Sequence, residues 1–114
     1  MSMETTRQQK VARQIQKDLG EIFQRMGNTF SQGKMITITS VRVSPDLSFA
    51  KVYISVFPSE NAKAQLEHMQ TYIRSIRNEL GKRIKNQVRI VPELAFFIDD
   101  SQDYVQHINE LLNK

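Results

Sequence analysis

Apolar residues return every three or four positions over the first quarter of the chain, then at every second position, then every three or four again. Over residues 6–26, Val11, Ile15, Leu19, Ile22, Phe23 and Met26 share one face, which predicts a helix. Thr5 or Thr6 is placed to cap its start, and Gly27 and Asn28 to end it. Residues 27–33 then read as a loop. Lys10, Arg13 and Lys17 fall within about 60° of one another, nearly opposite the apolar face.

Residues 35–43 alternate instead. Ile36 and Ile38 share one parity and Val41 and Val43 the other, so the pattern slips near Ser40 and predicts a bulge. Ser44-Pro45-Asp46 is a turn signal, with proline setting the second position. Alternation resumes over 49–57, with Phe49 and Tyr53 on one side and Val52, Ile54 and Val56 on the other. Two such runs around a turn predict a hairpin.

Ser59 is placed to cap a following helix. Leu66, Met69, Ile73, Ile76, Leu80 and Ile84 make its apolar stripe. A helix over 60–85 is long for a small domain, and a break at 69–72 makes two in tandem. A third strand is predicted over 88–98, with Pro92 implying an edge position or a bulge. Asp99, Asp100 or Ser101 then caps a last helix carrying Tyr104, Val105, Ile108, Leu111 and Leu112. The result is an α+β order, α-β-β-α-α-β-α, with helices covering a three-stranded sheet. The length of 114 residues suits one domain, 1–114.

Charge changes the picture more than composition does. The stretch from Arg74 to Arg89 holds six of the sixteen bases and one acid, Glu79. Its net +5 exceeds the +4 of the whole chain. Such a concentration is the footprint of a polyanion-binding surface. On the second tandem helix Arg74, Arg77, Gly81 and Lys85 fall within about 80° of arc, and Lys82 lies opposite the apolar stripe. Gly81 costs a helix interior about 1 kcal/mol. Either close approach of a sugar–phosphate backbone or tight packing against another element would offset it. Arg83 and Arg89 complete the cluster. Lys10, Arg13 and Lys17 extend it if both helices lie on one side of the sheet. Arg42 and Lys51, on the two hairpin strands, are free to join either surface. Tyr72 and Phe30 are the aromatics open to base stacking, with core burial the simpler reading of both.

Other chemistries find little support. There is no cysteine, which excludes disulfides, thiolate zinc sites and cysteine nucleophiles. The glycines form no phosphate loop. No cofactor or metal is expected. Asp99, Asp100, Asp103 and His107 are the residues a small metal-dependent hydrolase would use, but acids at a helix start already cap it and complement its dipole. The longest apolar run, residues 94–98, is too short for a bilayer, and the polar N-terminus lacks a signal-peptide core. A cytoplasmic monomer without membrane contact is the expectation.

Three blocks then carry a resemblance. Val43-Ser44-Pro45-Asp46-Leu47-Ser48-Phe49-Ala50-Lys51-Val52-Tyr53-Ile54-Ser55, Ile76-Arg77-Asn78-Glu79-Leu80-Gly81-Lys82-Arg83, and Arg89-Ile90-Val91-Pro92-Glu93-Leu94 with Phe97-Ile98-Asp99-Asp100-Ser101 resemble bacterial ribosome-binding factor A. The resemblance implies a KH-like domain of the bacterial type II arrangement. It implies a non-enzymatic factor that binds the small (30S) ribosomal subunit near the decoding region, assists 16S rRNA maturation, leaves before translation, and matters most in the cold. RNA-binding KH domains place a Gly-x-x-Gly loop between two helices, and the family an Ala-x-Gly kink. Here Met69-Gln70-Thr71-Tyr72 stands there, so side-chain cations carry more of the binding. After the first helix the family's Asp-Pro-Arg is replaced by Asn28-Thr29-Phe30-Ser31. A free-standing KH-like protein for single-stranded RNA is the alternative.

Overall fold

The structure is a computed structural model that describes residues 4–30, 34–57 and 60–99, with backbone only for 27–30. The element order is α1 (Thr6–Phe30), β1 (Met35–Val43), β2 (Phe49–Phe57), α2 (Ala62–Gln70), α3 (Ile73–Ile84) and β3 (Glu93–Ile98). The α+β order read from periodicity is present through its sixth element. The last helix, with Asp100, Ser101 and Tyr104 to Leu112, lies outside the described residues.

A reciprocal cap opens α1. The Gln8 amide N–H donates to Thr5 Oγ1 (3.1 Å), and the Thr5 N–H donates to Gln8 Oε1 (2.8 Å). Two orphan donors of the first turn are thus satisfied together. The buried Gln8 side chain also donates to the Val43 carbonyl at 2.9 Å, pinning the helix start to the end of β1. At the other end α1 runs to Phe30, past the expected stop at Gly27 and Asn28. A glycine's penalty of about 1 kcal/mol is too small to end a helix whose following turn still gains hydrogen bonds.

β1 and β2 pair antiparallel, and Thr39 is the extra residue of a bulge between Ile38 and Ser40. The bulge lets Ile38, Val41 and Val43 all face inward despite their mixed parity. The turn between the strands is held by Asp46, whose Oδ1 accepts from the Ser44 hydroxyl (2.8 Å), the Ser48 hydroxyl (2.7 Å) and the Ser48 N–H (3.1 Å). These bonds, Ser48's hydroxyl first and Ser44's next, hold its carboxyl below the ordinary value.

The tandem helices break where expected, between Gln70 and Ile73. At the start of α2, Asn61 sits at the cap position in a left-handed conformation; Ser59 lies outside the described residues. The strand expected over 88–98 is shorter. The N–H groups of Gln87 and Val88 both bond to the Ile84 carbonyl, so the chain is still leaving α3 there. Val88 is buried by that turn, while Ile90 is 66% exposed. Pro92 has no N–H for a ladder, and β3 begins one residue later, at the edge, parallel to β2.

Ala50, Val52, Ile54 and Val56, all of one parity on β2, are buried under the helices. Ile15, Leu19, Met69, Ile76, Leu80 and Phe96 meet them there, and α1 packs on both β1 and α3. Each fully buried side chain of this kind contributes about 1.5–3 kcal/mol. An exposed ion pair contributes about 0–1 kcal/mol, so burial rather than charge joins the helical layer to the sheet. The described helices therefore all cover one face, and among the described residues the other face is open.

Candidate nucleic-acid interface

The helical stripe dictates where each cation goes. Ile76, Leu80 and Ile84 turn α3 inward, which leaves Arg74, Lys82 and Lys85 pointing away from the sheet, all exposed. Lys82 Nζ lies 3.2 Å from Glu79 Oε1, an i,i+3 pair with the lysine side chain 74% exposed. Such a pair is weak enough to yield to a phosphate. Arg89, beyond the helix, is exposed too.

Arg77, Gly81 and Arg83 lie on the flanks of the stripe instead, and the neighbouring elements engage them. Arg77 Nη2 donates to the Val91 carbonyl at 2.7 Å and its Nε to the Pro92 carbonyl at 3.1 Å. This fork ties α3 to the segment that leads into β3. Gly81 faces the same segment. A Cβ there would stand 3.0 Å from Val91 Cγ2, so the missing side chain makes room for Val91 rather than for a phosphate. On the other flank the Arg83 guanidinium pairs with Glu21 of α1, clamping the two helices together.

Because α1 and α3 lie side by side on the same sheet face, the condition for a joint basic surface is met. Lys10, Arg13 and Lys17 are all exposed on the outer side of α1. Among the described residues none of the three forms an ion pair.

The α2–α3 junction is closed by its own backbone. The Thr71 N–H and hydroxyl both reach the His68 carbonyl, and the Tyr72 N–H reaches the Met69 carbonyl at 2.9 Å. Thr71 and Tyr72 have negative φ, so no left-handed glycine position exists to cradle a strand. Tyr72 is half-buried and meets His68 edge-on, ring centroids 5.4 Å apart. Phe30 is the last residue of α1, not a loop residue. Of the acids considered for hydrolysis, Asp99 accepts a 2.6 Å hydrogen bond from Thr39, and Asp100, Asp103 and His107 lie outside the described residues. Among the described residues no cluster of His or carboxylates is arranged to hold a metal, and no helix is long and apolar enough to cross a membrane.

The family described as ribosome-binding factor A matches residues 7–112. The ribosome-binding factor A of Cytophaga hutchinsonii is 44% identical over 112 residues, spanning 98% of this chain and 84% of that one. Among solved structures, the crystal structure of ribosome-binding factor A from Thermus thermophilus superposes with a TM-score of 0.68 at 24% identity, covering 80% of this chain and 94% of that one. A homology model of the Thermus thermophilus factor, fitted into a cryo-EM map of a 30S complex, gives 0.60 at 26% identity, covering 77% and 90%. With the family match running over residues 7–112 and the Cytophaga hutchinsonii relative 44% identical over 98% of this chain, the chain belongs to the ribosome-binding factor A family.

Proposed function

We propose that this chain binds the small ribosomal subunit and assists its assembly and 16S rRNA maturation, as a single KH-like domain in the cytoplasm and without chemistry of its own. The relative fitted into the 30S complex supports the partner. The observation that carries the RNA contact is the exposed set Arg74, Lys82, Lys85 and Arg89, with Lys10, Arg13 and Lys17 on the adjoining helix. Arg77, Gly81 and Arg83 build the surface beneath them. Cations on one outward layer bind phosphates and release counterions. A-form RNA hides its major groove, so this layer grips shape and backbone rather than sequence. The closed α2–α3 junction leaves side chains, not a backbone clamp, to do this.

The test is co-sedimentation of a Lys82→Glu, Lys85→Glu variant with purified small subunits. Binding should fall at least about tenfold. The slope of log affinity against log salt should flatten by roughly 0.7–0.9 per phosphate contact removed. Unchanged sedimentation by a folded variant, or wild-type binding insensitive to salt, overturns the assignment.

A further inference from the structure

The described helices cover one face of the sheet and leave the other bare. On that face Phe97 is 41% exposed, Phe49 36%, and Phe57 71%. The Tyr53 and Phe97 rings sit side by side on neighbouring strands, centroids 5.6 Å apart and tilted 31°. Between Phe49 and Tyr53 along β2 stands Lys51, and its register partner on β1 is Arg42. Two like charges directly opposite one another destabilise a sheet. Both are exposed, and among the described residues neither has an ion-pair partner. Glu93 is the register partner of Phe49, and Glu4 lines a cavity of about 310 Å³ shared with Arg42, Lys51 and Phe49. The acids frame the site without neutralising its cations.

We propose that this open sheet face is a second RNA-contacting surface, one that takes unpaired bases: Phe49, Tyr53 and Phe97 stack them while Arg42 and Lys51 hold the intervening phosphate. The chemistry is that of single-strand binders, which combine a positive track with aromatic platforms. Several RNA-binding modules use a bare sheet face in this way. Phe49 and Tyr53 are four residues apart, about 13 Å along the strand. That separation leaves room for a backbone to pass over the cation pair between two stacked bases. The outer helix layer, by contrast, offers cations with no exposed aromatic platform beside them among the described residues. The two surfaces point in opposite directions, so the domain sits between a folded RNA on one side and a single-stranded segment on the other. This inference rests on RNA being the partner, as proposed above.

The experiment uses the full chain and a short oligouridylate, with ultraviolet crosslinking mapped by mass spectrometry and affinity read by fluorescence anisotropy. Crosslinks are expected at Tyr53 and Phe97. Phe97→Ala should weaken binding by about tenfold, and Arg42→Glu with Lys51→Glu by at least as much. The Lys82→Glu, Lys85→Glu variant should keep the sheet-face crosslinks even as it loses the subunit. Failure of one surface is thereby separated from failure of the other. Crosslinks confined to α1 and α3, or unchanged affinity in folded Phe97→Ala and Arg42→Glu/Lys51→Glu variants, overturn the proposal. So do nuclear Overhauser contacts, in the absence of RNA, between residues 101–114 and Phe49 or Phe97. Those contacts would show the chain's own C-terminal segment on this face.

Discussion

Arg77 separates two meanings of a basic residue. If it is a tether, removing it damages the fold; if it were a phosphate contact, removing it would damage only binding. Arg77→Ala deletes the fork to the Val91 and Pro92 carbonyls. A hydrogen bond from a charged donor contributes about 1.5–3 kcal/mol, and half-burial puts these at the lower end. Pro92 is buried, so water replaces the lost donor poorly. A total loss of about 2–3 kcal/mol follows. For a domain of this size that is a fall in Tm of roughly 8–12 °C. Arg77→Lys keeps the charge but not the fork, and should still lose about 1 kcal/mol. Urea denaturation followed by circular dichroism measures both. Arg77 is not a tether if Arg77→Ala unfolds within about 0.5 kcal/mol of wild type, or if Arg77→Lys is as stable as wild type while Arg77→Ala loses only subunit binding.

Two further outcomes concern the helix glycines and the hairpin turn. Gly20→Ala should stabilise α1 by up to about 1 kcal/mol, since a Cβ there meets nothing within 4 Å. Gly81→Ala should fall short of that gain by at least about 1 kcal/mol because Val91 must shift. Thermal melts of the two variants side by side check the pair, and equal shifts would contradict it. Asp46 has a lowered carboxyl pKa in the folded state, so its stabilising contribution is present above its ordinary value of 3.8 and fades as pH falls through the lower folded value. A carboxyl-detected NMR titration should show that low midpoint in wild type and its return toward 3.8 in a Ser44→Ala, Ser48→Ala variant.

Local spacing made much of the fold legible. The parity slip at Ser40 announced the bulge, and the stripe from Leu66 to Ile84 announced two helices with a break near residues 69–72, which falls between Gln70 and Ile73. What escaped was decided by partners distant in sequence. One exception is local: Val88 and Ile90 keep strand parity, yet the Ile84 carbonyl accepts from the Gln87 and Val88 N–H groups and the ladder starts only after Pro92. A helical projection put Arg77 and Gly81 on one line with Lys85, but could not see Val91 lying against two of the three. Nor could it see Glu21, 62 residues away, waiting for Arg83. Arg42 and Lys51 were legible only as one cation on each hairpin strand; their pairing in register comes from the structure. That they stand on the bare face follows only from the described helices covering the other.

Placing β3 at the edge of the described sheet, parallel to its neighbour β2, gives the domain an asymmetric order of assembly. The β1–β2 hairpin closes over the short turn at residues 44–48 and needs little chain entropy. β3 must wait for both tandem helices to dock before its ladder can form, since closing a longer loop costs more before any contact repays it. Like β1 it is zipped on one side alone, but its ladder closes a far longer stretch of chain than the hairpin's, so β3 should let go before β1 in native-state hydrogen exchange, with the central strand β2 protected longest.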